Sequence, residues 1–225
     1  MTKAMTRVMT KHEVRARIEE IGIIPAVRVS SVEEALFAAE SVLKGGIKVV
    51  EITTTMPGAV ETMAELTRKM PELMVGADAV LDLETARACL DAGAAFLTSP
   101  GLDLDLVELG AQHNVLVIPG ALTPSEVAAA CRAGTDFIKV FPCSLIGGAS
   151  YIKALKGPFP HVAFIASGGV NQQNAGDFIR AGASALGIGE HLIPHEAVRN
   201  RNGKWIHELT RRFIGMVKDA RVTSR

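Results

Sequence analysis

A (β/α)8 TIM barrel with an extra N-terminal helix is the fold this sequence predicts. Three observations predict it: eight short apolar runs, stretches of helical periodicity between them, and a glycine-led repeat in alternate units. The 225 residues, 48% of them hydrophobic, suit one barrel and leave no room for a second full domain, so residues 1-225 are read as a single domain.

The apolar runs give the strands in order: Ile23 to Val29, Val49 to Thr53, Leu73 to Ala77, Phe96 to Ser99, Val115 to Pro119, Phe137 to Phe141, Val162 to Ala166 and Ala185 to Gly189. Their starts lie 19 to 26 residues apart, one βα unit each. Between the first two, Val32 to Lys44 reads as a helix with Val32, Leu36, Ala39 and Leu43 on one face. Between the fifth and sixth, Pro124 to Ala133 reads as a helix opening at Thr123.

The repeat is a helix end, a glycine and a strand: KGGIKVVEI, DAGAAFLTS, RAGTDFIKV and RAGASALGI. Glycine accepts a left-handed backbone just past a helix, so Gly46, Gly93, Gly134 and Gly182 mark entry into strands two, four, six and eight. Five residues after each stand Glu51, Thr98, Lys139 and Gly187. Alternate strands of a barrel fill one interior layer, so Glu51 and Lys139 should share a layer and face each other, provided the four strands are staggered alike.

The charge balance narrows the partners. Lys+Arg 24 equals Asp+Glu 24, which leaves no basic excess for nucleic acid or an anionic membrane, and the expected partner is a small molecule. Cys89, Cys131 and Cys143 have no CxxC spacing and no HExxH pair occurs, so neither a disulfide framework nor a metal site is expected. No run approaches the ~18 apolar residues of a membrane span, and MTKAMTRVMTKHEVRARIEE lacks a signal-peptide core, so the default compartment is the cytoplasm.

Lys139 carries the chemistry. In FIKVFP it sits among apolar residues of a strand that should be buried, where an ammonium must be paired or deprotonated. A free lysine of pKa ~10.4 is protonated at neutral pH, and a nucleophilic one must fall by about 3 units, the direction in which burial acts. Two readings remain: a structural ion pair with Glu51, or an amine nucleophile partnered by a carboxylate that shuttles protons.

The segments VVEITTTMPGA, SPG, IPGALTPSE, FIKVFPCS, GGASYIKALKGPFP and SGGVNQQN, spread over nearly the whole chain, resemble the 2-keto-3-deoxy-6-phosphogluconate (KDPG) and 4-hydroxy-2-oxoglutarate (KHG) aldolases. The resemblance implies a class I aldolase in which Lys139 forms the Schiff base and Glu51 is the general acid/base. Arg28 and Thr53 would hold the substrate carboxylate and hydroxyls, and Pro100 and Phe141 would line the pyruvate pocket. It also implies a homotrimer, a 2-oxo acid substrate, and no metal or other cofactor beyond the covalent Schiff base. Ser167, Gly168 and Gly169, after the seventh strand, form a loop suited to a phosphate.

Three positions depart from the family pattern. GAGTV becomes Gly76, Ala77, Asp78, Ala79, Val80, which removes a hydroxyl and adds a carboxylate directed toward the active-site mouth. After the eighth strand Glu190, followed by His191, stands where glycine or serine is usual, and an inward Glu190 would repel a phosphate. The departures bear on substrate more than on chemistry. The leading expectation is cleavage of KDPG to pyruvate and glyceraldehyde 3-phosphate. The alternatives are an unphosphorylated 4-hydroxy-2-oxo acid substrate, and a barrel that only binds a metabolite.

Overall fold

The computed structural model describes residues 9–223. The first eight residues, part of the segment read as lacking a signal-peptide core, lie outside the described residues, as do the last two of the span 1-225.

The first element among the described residues is helix α1 (Lys11–Ile21), the extra N-terminal helix. Thr10 and Glu13 close a reciprocal capping box at its start, and Gly22 turns left-handed at its end to enter the first strand. Strands and helices then alternate: β1 (Ile23–Val27), α2 (Val32–Gly45), β2 (Val49–Thr53), α3 (Ala59–Lys69), β3 (Met74–Asp78), α4 (Leu83–Asp91), β4 (Phe96–Thr98) and α5 (Leu104–His113). The second half continues with β5 (Leu116–Ile118), β6 (Gly120–Ala121), α6 (Pro124–Arg132), β7 (Phe137–Val140), α7 (Ala149–Lys156), β8 (Ala163–Ser167), α8 (Ala175–Arg180), β9 (Ala183–Ile188), α9 (His195–Arg199) and α10 (Gly203–Val222).

All the strand pairs are parallel, and the sheet runs β5-β4-β3-β2-β1-β9-β8-β7-β6. Its two ends are the halves of one barrel strand, so the sheet closes on itself as the eight-stranded barrel expected. The single run Val115 to Pro119 is instead two short strands, because Pro119 has no N–H to give the ladder. The Pro119 carbonyl still accepts from the Lys139 amide at 2.9 Å, which ties the seam to β7.

Two further expectations need correction. In α2 the buried residues are Ala35, Ala38, Ala39, Ser41, Val42 and Gly45, whereas Val32, Leu36 and Leu43 are only partly buried. The small residues face inward because α10 crosses close by: a Cβ added to Gly45 would lie 2.5 Å from Thr210. In β9 the pairing with β8 slips between Phe164, opposite Ala183, and Ile165, opposite Ala185, leaving Ser184 as the extra residue. Gly187 is therefore not staggered like its three counterparts.

The four repeat glycines all have positive φ, from 77° at Gly134 to 105° at Gly46. Strand residues facing the barrel interior and the helix faces outside form one continuous core that includes Phe96, Phe137, Phe164, Phe178 and Phe213.

Candidate active site

The carboxyl ends of the strands surround a cavity of about 510 Å³. Arg28 follows β1, Glu51 lies within β2, Asp78 ends β3, Lys139 lies within β7, and Ser167 ends β8; all five line it. So do Ala79, Pro100, Phe141, Gly168, Gly169 and Glu190. Thr53 does not line it: the residue is wholly buried and its hydroxyl faces that of Thr55 at 3.1 Å, so the expectation that it holds substrate is not met by this geometry.

The charged centre differs from the expected pair. Lys139, 6% exposed, extends its Nζ to Asp78 Oδ1 at 2.7 Å. Among the described residues the carboxylate in ion-pair contact with Lys139 is thus Asp78, not Glu51. Glu51 remains close enough to act through its charge, and its Oε2 lies 3.0 Å from the Thr98 hydroxyl. The same hydroxyl is 3.0 Å from Asp78 Oδ1, so Thr98 bridges the two carboxylates. Arg28, its side chain 63% exposed, reaches the other oxygen of Asp78 at 3.4 Å. The ring of Phe141 lies 5.6 Å from the Lys139 ammonium.

These positions set the protonation states. Burial pushes Glu51 up to about 7, and the nearby charge of Asp78 adds to the rise against the pull of Lys139 and Thr98. Burial also opposes charge on Asp78, but the ammonium of Lys139 and its hydrogen bond outweigh it and hold this carboxyl below its usual range. For Lys139 the desolvation that should free the amine is outweighed by Glu51 and Asp78, so its pKa is raised rather than lowered. The resting lysine is an ammonium. A near-neutral carboxyl, an ionised carboxylate and an ammonium in one half-dry cavity can together donate, accept and hold protons.

Beside β7, the loop after β8 is a backbone cradle. Gly168 and Gly169 take φ of 86° and 82°, a pair of left-handed residues that turns the chain tightly after β8. A Cβ on Gly168 would come within 2.9 Å of Pro142, and one on Gly169 within 2.6 Å of Ser144, so neither position has room for a side chain. Ser167, 8% exposed, packs over Gly187. Glu190 is exposed at the rim of the cavity, where His191 and His195 also line it.

Thr98, His191 and His195 belong to the site without being among the residues expected there, and the contact between Asp78 and Lys139 is likewise unexpected. Thr98 had a signal, since it occupies the same repeat position as Glu51 and Lys139. Asp78 had none there, because the repeat compares even strands and Asp78 ends the third. Its exchange for the usual glycine was the only sign.

A family model described as KDPG and KHG aldolase matches residues 14–209. The KHG/KDPG aldolase of Escherichia coli is 30% identical over 85% of this chain and 90% of its own length. The 2-dehydro-3-deoxy-phosphogluconate aldolase of Treponema pallidum is 28% identical over 89% and 95%. Among solved structures, the KDPG aldolase of Legionella pneumophila, crystallised with pyruvate captured as a covalent carbinolamine, superposes with a TM-score of 0.83. It is 31% identical, over 88% of this chain and 96% of that one. With the barrel, the buried lysine and these matches in agreement, the chain belongs to the KDPG and KHG aldolase family.

Proposed function

We propose that this protein is a class I aldolase, a carbon–carbon lyase that reversibly cleaves 2-keto-3-deoxy-6-phosphogluconate to pyruvate and glyceraldehyde 3-phosphate. The observation that carries the reading is a buried Lys139 at the head of a cavity whose other titratable groups include a near-neutral Glu51. KDPG is the substrate common to the relatives' names, which favours it over an unphosphorylated acid.

Lys139 adds through its amine to the C2 ketone, and loss of water leaves an iminium that draws electrons from C3. Glu51 takes the C4 hydroxyl proton as the C3–C4 bond breaks and the aldehyde departs, then returns a proton to C3 of the enamine. A carboxyl near 7 suits both directions of that transfer. Hydrolysis of the iminium frees pyruvate and the lysine. Arg28 meets the substrate carboxylate, Pro100 and Phe141 hold the pyruvate portion, and Ser167, Gly168 and Gly169 receive the phosphate through hydroxyl and backbone N–H donors. The chemistry uses no metal or other cofactor.

The family resemblance supports a homotrimer, and the three free cysteines, two of them buried, suit the reducing cytoplasm. Among the described residues no helix is long and apolar enough to cross a membrane.

The test is cleavage of KDPG coupled to lactate dehydrogenase, together with borohydride reduction in the presence of pyruvate. Turnover and a stable adduct on Lys139 are expected. No turnover would reject the substrate, and no adduct on Lys139 would reject the mechanism.

A further inference from the structure

We propose that the second buried carboxylate, Asp78, is a further catalytic residue, which carries the protons of Schiff-base formation at Lys139 while Glu51 handles those at C3 and C4. This rests on the aldolase reading above.

The geometry separates the two acids. Asp78 Oδ1 stands 2.7 Å from Lys139 Nζ, inside proton-transfer distance, and the residue is only 3% exposed. Glu51 forms its hydrogen bond to Thr98. The Thr98 hydroxyl has one proton and lies 3.0 Å from an oxygen of each acid, so it cannot donate to both together. With Glu51 protonated the conflict disappears: Glu51 donates to Thr98, and Thr98 donates to the Asp78 carboxylate. The connection from Glu51 through Thr98 and Asp78 to Lys139 is then continuous.

The resting ammonium must lose a proton before it can attack. It passes one to Asp78, and the free amine adds to the C2 carbonyl while Asp78 returns that proton to the carbonyl oxygen. Asp78 next takes a proton from the nitrogen of the adduct and delivers it to the carbinolamine hydroxyl. The C–O bond breaks, water leaves, and the nitrogen lone pair forms the iminium. Ammonium and ketone have become iminium and water, and Asp78 is again a carboxylate beside a cationic nitrogen. Its position lets it stabilise positive charge on that nitrogen before and after the step.

The experiment measures two rates with pyruvate: appearance of the borohydride-trapped adduct on Lys139, and exchange of the C3 hydrogens from a preformed Schiff base in heavy water. In D78N adduct formation is expected to fall by about 100-fold, within the usual range for a positioned acid/base, with its pH profile altered and exchange changed much less. E51Q should do the reverse, losing exchange more than adduct formation. Circular dichroism and thermal melting establish that each variant is folded. If the wild-type protein gives no adduct, the aldolase reading fails. If it does, and folded D78N gives the adduct at the wild-type rate and pH profile, the proposal is overturned and Asp78 is a structural counter-ion. Should D78N not fold, T98V keeps both carboxylates and removes the link; it should slow adduct formation about 10-fold, and an unchanged rate would overturn the proposal.

Discussion

Lys139 is held by charges that oppose its own reactivity. Replacing it with methionine would remove the nucleophile and leave the buried Asp78 carboxylate with the exposed Arg28 as its remaining cation among the described residues, beside the Thr98 hydroxyl. The Lys139→Met protein should give no borohydride adduct and lose about 3–5 kcal/mol of stability at neutral pH, the usual cost of breaking a buried pair. Chemical denaturation measures that loss, and it should shrink at low pH, where Asp78 takes up a proton. Glu51 has the opposite linkage. Its folded-state pKa is raised from 4.5 to about 7, so its contribution is fully present below about 4.5 and is lost as pH rises through about 7. Glu51→Gln should therefore lose stability less steeply than wild type between pH 5 and 8, as thermal melts across that range will record. The same substitution should lower kcat by about 10²–10⁴-fold in the coupled cleavage assay.

At the scale of elements, small residues set how closely strands and helices approach. Gly76 pairs with Glu51 across β2 and β3, and the ring of Phe96 occupies the place its Cβ would take, at 2.3 Å. Gly76→Ala should cost about 1–3 kcal/mol, because a buried aromatic ring cannot yield as a flexible side chain would; the denaturation midpoint is the measure. Helix α6 starts with a reciprocal capping box between Thr123 and Glu126, and Thr123→Ala should cost about 1 kcal/mol by the same measurement. These caps and the glycine-led repeat were legible in the sequence because they depend on neighbours along the chain. The break at Pro119 and the extra residue at Ser184 were less so, since apolar runs locate a strand without fixing its ladder. The rotation of the α2 face was illegible for another reason: it is set by α10, more than 150 residues later in the sequence.

Across the whole molecule, the barrel and most of its site could be read in advance. The even-strand repeat brought Glu51, Thr98 and Lys139 to one level, the family resemblance supplied Arg28, Pro100 and Phe141, and the place after the seventh barrel strand supplied the Gly168–Gly169 loop. What could not be read was which carboxylate touches the lysine, because that depends on the stagger between neighbouring odd and even strands. Sedimentation of the intact protein tests the proposed trimer, with a species of three chains the expected result and a monomer the contrary one. The closure of the sheet at Pro119 has a consequence for unfolding. Arg28, Glu51, Asp78 and Thr98 all come from the half of the chain before that seam, whereas Lys139, Phe141 and Ser167 come from the half after it. The acids and the nucleophile therefore meet only while both half-barrels are locked together, so enzymatic turnover reports on their docking. Trp205, on outer helix α10, reports on something more local. In a denaturant titration, loss of turnover at a lower concentration than the change in Trp205 fluorescence would reveal half-barrels that part before they melt.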